Sequence, residues 1–305
     1  MGISRSYSAQ PAGKNTAPIS RRSLLQACAA AGGCWLFPRL ASAQGMAPTR
    51  HGREAQDEKA VSSREAREEA LRVIPWNDLT DEAQRKLRSV VETPSIYRRM
   101  PKKTIDCDSD LYVFLLRNPE VVVNMWQVMG ISNMTAERTG SCAWKGNDGA
   151  GTQCDVELIY GNRTKDLHIM YGEGFYEGSL FKRRMSGRCV LLLRSGYAHD
   201  GRSRVATLLD MFLTVDNAGL DLVAKTLSPL VGSTADANFG ETAKFLGRVS
   251  LTAERNGPKL EQMTAKLTKV DPKIRDQFSQ LTMEIYQQSA LGEAAAVTTA
   301  NGLRR

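Results

Sequence analysis

The sequence predicts an α+β fold, an antiparallel meander sheet set against a long C-terminal helix with extra N- and C-terminal helices. Three observations carry that expectation. Between residues 134 and 215 the apolar residues recur with period two, with Gly, Asn and Asp at the breaks. From Leu220 to Val249 the spacing lengthens to three or four, as on one face of a helix. Ahead of the meander, Asp108 and Asn118-Pro119-Glu120 each open a short apolar helical run.

The chain begins with a segment that concerns destination. Arg21 and Arg22 form a positive region, an apolar stretch runs from Leu24 to Phe37, and Ala41-Ser42-Ala43 makes a small-x-small cleavage site before Gln44. Residues 1–43 therefore read as a secretory signal, and Ser20-Arg21-Arg22-Ser23-Leu24-Leu25 resembles the twin-arginine export motif. A retained anchor fits less well, because Gln26, a Gly pair, Pro38 and Arg39 interrupt a run shorter than the roughly 20 apolar residues a span needs. A lipoprotein signal also fits less well, since the apolar run continues past Cys34. The expected location is periplasmic or envelope-associated. Five positive charges and no acid leave with residues 1–43, so the net charge falls from +8 to +3. That removes the charge argument for a nucleic-acid partner.

Residues 44–70 are polar with almost no large apolar side chain and read as a disordered linker. An N-terminal helical segment follows over 71–101, with Thr80 as N-cap and Leu87, Val90 and Val91 on one face. The main α+β domain spans 102–255. Its helix pair runs from Asp108 to Met129 and stops at Gly130. Five strands are expected over about 134–144, 152–160, 167–176, 180–193 and 204–215, with turns at Asn147-Asp148-Gly149, Gly161-Asn162-Arg163, Glu177-Gly178 and residues 196–201. Asp216-Asn217 caps the long helix, which Pro229 and Gly232 kink or split. Residues 256–305 add further helix broken at Asp271-Pro272, then a frayed tail from Leu291.

After the signal is removed, Cys107, Cys142, Cys154 and Cys189 remain. In an oxidising compartment they can form two disulfides in three connectivities, of which Cys142 with Cys154 across the glycine-rich turn is favoured, with Cys107 and Cys189 following by elimination. Four separate buried thiols are the competing reading. No Cys-x-x-Cys is present and the histidines have no ligand spacing, so no metal site or cofactor is expected.

The order of helix pair, meander and long C-terminal helix, with Ile105 and Cys107 supplying a short opening strand, resembles the START-type helix-grip (SRPBCC-like) fold over about residues 102–255. No diagnostic motif accompanies that element order. The resemblance implies a sheet wrapped on the last helix and an elongated cavity for a lipid or other apolar ligand. From the residues themselves, Trp126, Met170, Phe175, Met211, Phe212, Phe239 and Phe245 are the candidate lining, because bulky side chains from helix and sheet make an adaptable apolar wall. A packed core is the plainer reading of the same residues. Lys182-Arg183-Arg184 with Arg188, and Arg98-Arg99 with Lys102-Lys103, are candidate contacts for an anionic membrane surface.

No catalytic residue is assigned. Arg194-Ser195-Gly196 lacks the nucleophile elbow. Asp106-Cys107-Asp108 departs from a calcium loop at Leu111 and Arg117 and is better explained as a helix cap. The expected function is non-enzymatic binding of a lipid or apolar small molecule. The alternatives are a cyclase- or hydrolase-like enzyme in which His168 converges with Glu157 or Glu173, and an envelope structural or interaction module.

Overall fold

The computed structural model describes residues 59–302 apart from 162, 163, 165, 179–183, 200, 201, 217, 218 and 220–226. The export segment, Leu220, Val223, Lys182 and Arg183 lie outside the described residues. The architecture is α+β. Seven helices and eight strands appear among the described residues: α1 (Arg64–Arg72), α2 (Asp81–Val91), β1 (Ile96–Arg99), β2 (Lys103–Asp106), α3 (Ser109–Arg117), α4 (Pro119–Val128), β3 (Thr135–Gly140), β4 (Ala143–Asn147), β5 (Thr152–Gly161), β6 (Leu167–Tyr176), β7 (Met185–His199), β8 (Ser203–Val215), α5 (Ser228–Arg255), α6 (Gly257–Thr264) and α7 (Pro272–Gly302).

The strands form one antiparallel sheet in the order β1-β8-β7-β6-β5-β4-β3, with β2 also paired to β8. Successive residues of a strand point to opposite faces, and here both faces are buried. Ile169, Tyr171, Val190, Leu192 and Phe212 pack with Ala66 and Ala70 of α1 and Leu87, Val90 and Val91 of α2 on what we term the outer face. Met170, Cys189, Leu191, Leu209, Met211 and Leu213 pack with Val231, Ala235 and Phe239 of α5 on the inner face. Helices α3 and α4 extend that inner layer over β3, β4 and β5. This double burial explains the uninterrupted apolar run Val190-Leu191-Leu192-Leu193.

Local chemistry sets most boundaries. Thr80 caps α2 by accepting from Ala83 N–H, and the Asp108 carboxylate caps α3 by accepting from Asp110 and Leu111. Gly130 follows α4 at φ 68°, the left-handed conformation that a helix stop favours. At Gly151, φ is 116° and a Cβ would lie 2.8 Å from the Glu177 carbonyl oxygen, so glycine is required on both counts.

Several expectations need correction. Residues 64–70 are helix rather than linker: Ser63 caps α1, and the small side chains of Ala66 and Ala70 let it lie close against the sheet. The first expected strand is a hairpin, β3 and β4, because Ser141-Cys142 makes a two-residue turn inside a run whose alternation continues on both sides. Strand β7 continues to His199, beyond the expected turn at Gly196, since Gly196 through His199 pair with β8. Pro229 begins α5 instead of kinking it, because a proline in the first turn forfeits no helical hydrogen bond. Helix α7 starts at the expected break Pro272 and runs through the segment expected to fray.

Neither proposed disulfide forms. The Cys142 carbonyl pairs with Leu158, whereas Cys154 stands opposite Gly146. Four residues of offset along a strand is about 13 Å, beyond the ~7 Å between Cα atoms that a disulfide tolerates. Cys107 follows β2 beside Ser203, while Cys189 pairs with Leu213, ten positions further along β8 and so roughly 33 Å away. Cys107 and Cys189 behave as small core residues, and burial pushes both thiols up to about 12.

Candidate functional site

The inner layer does not close completely. Between the sheet and helices α3, α4 and α5 lies a cavity with about 70 Å³ of space open to the centres of water-sized molecules. A single water requires only about 10–15 Å³ by that measure. The sheet supplies Met170, Leu191, Leu193 and Leu209; α3 supplies Tyr112, Leu115 and Leu116. Trp126 with Val122 and Val123 comes from α4, and Phe239, Ala243 and Leu246 come from α5. No Lys, Arg, Asp or Glu among the described residues lines it. The wall can therefore hold an aliphatic or aromatic body by dispersion and desolvation, and it offers no charge to a charged one.

Polar groups gather where β7 and β8 meet α3. The Tyr112 hydroxyl donates to Thr207 Oγ1 at 3.1 Å and makes a second 3.1 Å contact with Ser195 Oγ. Burial raises the Tyr112 pKa, so the phenol stays protonated. Nearby on the same face, Arg117 Nε donates to His168 Nε2 at 3.2 Å. The ring proton of the fully buried His168 is then on Nδ1, which has no partner among the described residues. Burial first, and the Arg117 cation second, hold the His168 pKa down to about 4, which keeps the imidazole neutral.

Of the seven residues proposed as lining, Trp126, Met170 and Phe239 stand in the wall. Phe245 packs on Trp126 at 5.6 Å between ring centroids without reaching the cavity, and Met211 lies within the inner cluster away from it. Phe212 and Phe175 belong to the outer face by strand parity. Phe212 packs on Tyr97 at 5.0 Å, and Phe175 lies beneath the Arg184 guanidinium. Tyr112, Leu115, Val122 and Val123 were missed as lining. The available signal was that α4 is apolar nearly all round, with eight of its ten residues buried, so it needed partners on more than one side.

His168 does not converge with Glu157 or Glu173. Glu157 and Glu173 share the outer face with Tyr171, opposite His168. Glu157 is paired with Lys86 Nζ at 2.6 Å, and Glu173 accepts the Tyr171 hydroxyl at 2.8 Å. Asp108 is a helix cap, as expected. Within the basic clusters, Arg98 pairs with Asp236, Arg99 with Asp210 and Glu69, and Arg188 with Asp216, while Lys182 and Arg183 lie outside the described residues. No helix among the described residues is long and apolar enough to cross a bilayer.

No family model and no curated protein matches the chain. Solved structures do. A conserved protein from Geobacillus kaustophilus matches with a TM-score of 0.35 and 11% identity over 50% of this chain and 93% of its own. A hypothetical protein from Helicobacter pylori matches with a TM-score of 0.31 and 14% identity over 49% of this chain and 84% of its own. Likeness at that level carries no functional argument.

Proposed function

We propose that this protein is an exported, non-enzymatic binder of a lipid or other apolar small molecule, held in the cavity between the inner face of the sheet and helices α3, α4 and α5. The carrying observation is that cavity, whose wall comes from three helices and the sheet and, among the described residues, contains no charged side chain. The helix-grip reading belongs to the same proposal. Its support is the insertion of α3 and α4 between the edge strands β1 and β2 and the meander, with α5 following the last strand. Export rests on residues 20–44 of the sequence. A slender chain suits the space best, and Met170 gives the wall some latitude because an unbranched thioether repacks at little cost.

Native mass spectrometry of protein purified from the compartment it is exported to should show a co-purified small molecule released on unfolding. A uniformly empty protein that also fails to bind a medium-chain acyl probe would overturn the proposal. Mature protein found only in the cytoplasm would overturn the export component alone.

A further inference from the structure

Among the described polar groups in the cavity wall, one has no hydrogen-bond partner among the described residues. Trp126 lines the cavity from α4 with 1% of its surface exposed, and its indole N–H meets no acceptor among the described residues. The contrast with Trp144 is direct. That residue is equally buried, and its N–H donates to Glu120 Oε2 at 2.7 Å. Tyr112 and Thr207, the wall hydroxyls described above, are already bonded to one another. A buried N–H without an acceptor forfeits its hydration and gains nothing in return, so a phenylalanine would fill the same wall at lower cost.

We infer that the cavity ligand carries a neutral carbonyl oxygen, as in an ester or ketone, which accepts the hydrogen bond of Trp126 Nε1–H. The inference rests on the proposed binding function and narrows its ligand class. The acceptor is neutral because no cation among the described residues lines the cavity, and a carboxylate placed there would be a buried charge without a counter-ion among them. A purely hydrocarbon ligand would leave the N–H as it is. A free fatty acid is disfavoured for the first reason and an alkane for the second.

The test uses the full mature chain with three probes, methyl hexanoate, hexanoate and n-nonane, against the wild type and Trp126→Phe. Methyl hexanoate should bind the wild type more tightly than hexanoate at neutral pH. Trp126→Phe should weaken ester binding about tenfold more than it weakens alkane binding, the loss expected when a buried carbonyl is left without its donor. In the ¹⁵N spectrum of the wild type, the Trp126 indole resonance, assigned through its contacts with Phe245, should move with the ester and stay with the alkane. That measurement decides alone if the variant does not fold. Equal losses for ester and alkane, or an indole resonance indifferent to the ester, would assign the N–H to a cavity water and overturn the inference while leaving apolar binding intact. Absence of binding by all three probes would overturn the binding reading with it.

Discussion

The two faces of the sheet are built from the same strands by opposite means. On the outer face, Asp210 is fully buried yet accepts from Tyr97 at 2.7 Å, Arg99 at 2.7 Å and Arg194 at 3.0 Å. Glu69 of α1 accepts from the same two arginines at 2.7 and 2.8 Å, which makes two carboxylates balance two guanidinium groups. On the inner face the cavity lies among apolar side chains, and the indole N–H in its wall has no partner among the described residues. On the outer face, buried carboxylates and guanidinium groups pair where α1 meets the sheet. Imperfect packing is kept where a ligand has room.

Asp210→Ala breaks this contrast most strongly. It leaves Arg99 and Arg194 short of a buried counter-charge and should cost about 3–5 kcal/mol in urea unfolding. A loss below about 1 kcal/mol would show that water reaches and screens the network. Next, Phe212→Ala on the outer face should cost about 3–5 kcal/mol. The same change at Phe239 should cost about 1 kcal/mol less, because a side chain beside a void has fewer contacts to lose. Equal costs would argue that the inner wall is as well packed as the outer face.

Acid should separate the faces by pH window. His168 is a base whose folded pKa, about 4, lies below its ordinary 6.5. The unfolded chain therefore binds the proton first, and stability is lost as pH falls from about 6.5 to about 4, by on the order of 2–3 kcal/mol. Glu69 is an acid held down to about 2, chiefly by its hydrogen bond from Arg194 and then by that from Arg99, so its contribution is present above about 4.5 and lost as pH falls toward 2. Its half-exposed side chain makes that second loss the smaller. His168→Asn should flatten the upper window of a pH–stability profile, and Glu69→Gln only the lower. The smallest effect is a gain. Ala243→Leu fills the cavity from α5 and should raise stability by about 0.5–2 kcal/mol while displacing an acyl probe; unchanged binding would place the ligand elsewhere.

Legibility followed the range of the interactions. Caps at Thr80 and Asp108, the stop at Gly130 and three of the five expected strands were readable because neighbouring residues in sequence create them. Helix α1 was not, since Ala66 and Ala70 look too small to bury useful area until the sheet lies against them. The site was half legible. Trp126, Met170 and Phe239 could be chosen by size and chemistry, but nothing in the local pattern separates Met170 from Phe175, which stand five residues apart on opposite faces.

By itself, the amino-acid order determined the α+β class, the alternation of the meander and the order of its elements, because period and capping act over a few residues. The tertiary structure alone decided which of two apolar faces keeps a cavity, that Cys142 and Cys154 miss each other by about 13 Å of strand, and that Glu69 reaches Arg194. Those outcomes depend on strand register and on helices distant in sequence. A one-residue slip moves every side chain of a strand to the other face without changing the sequence pattern.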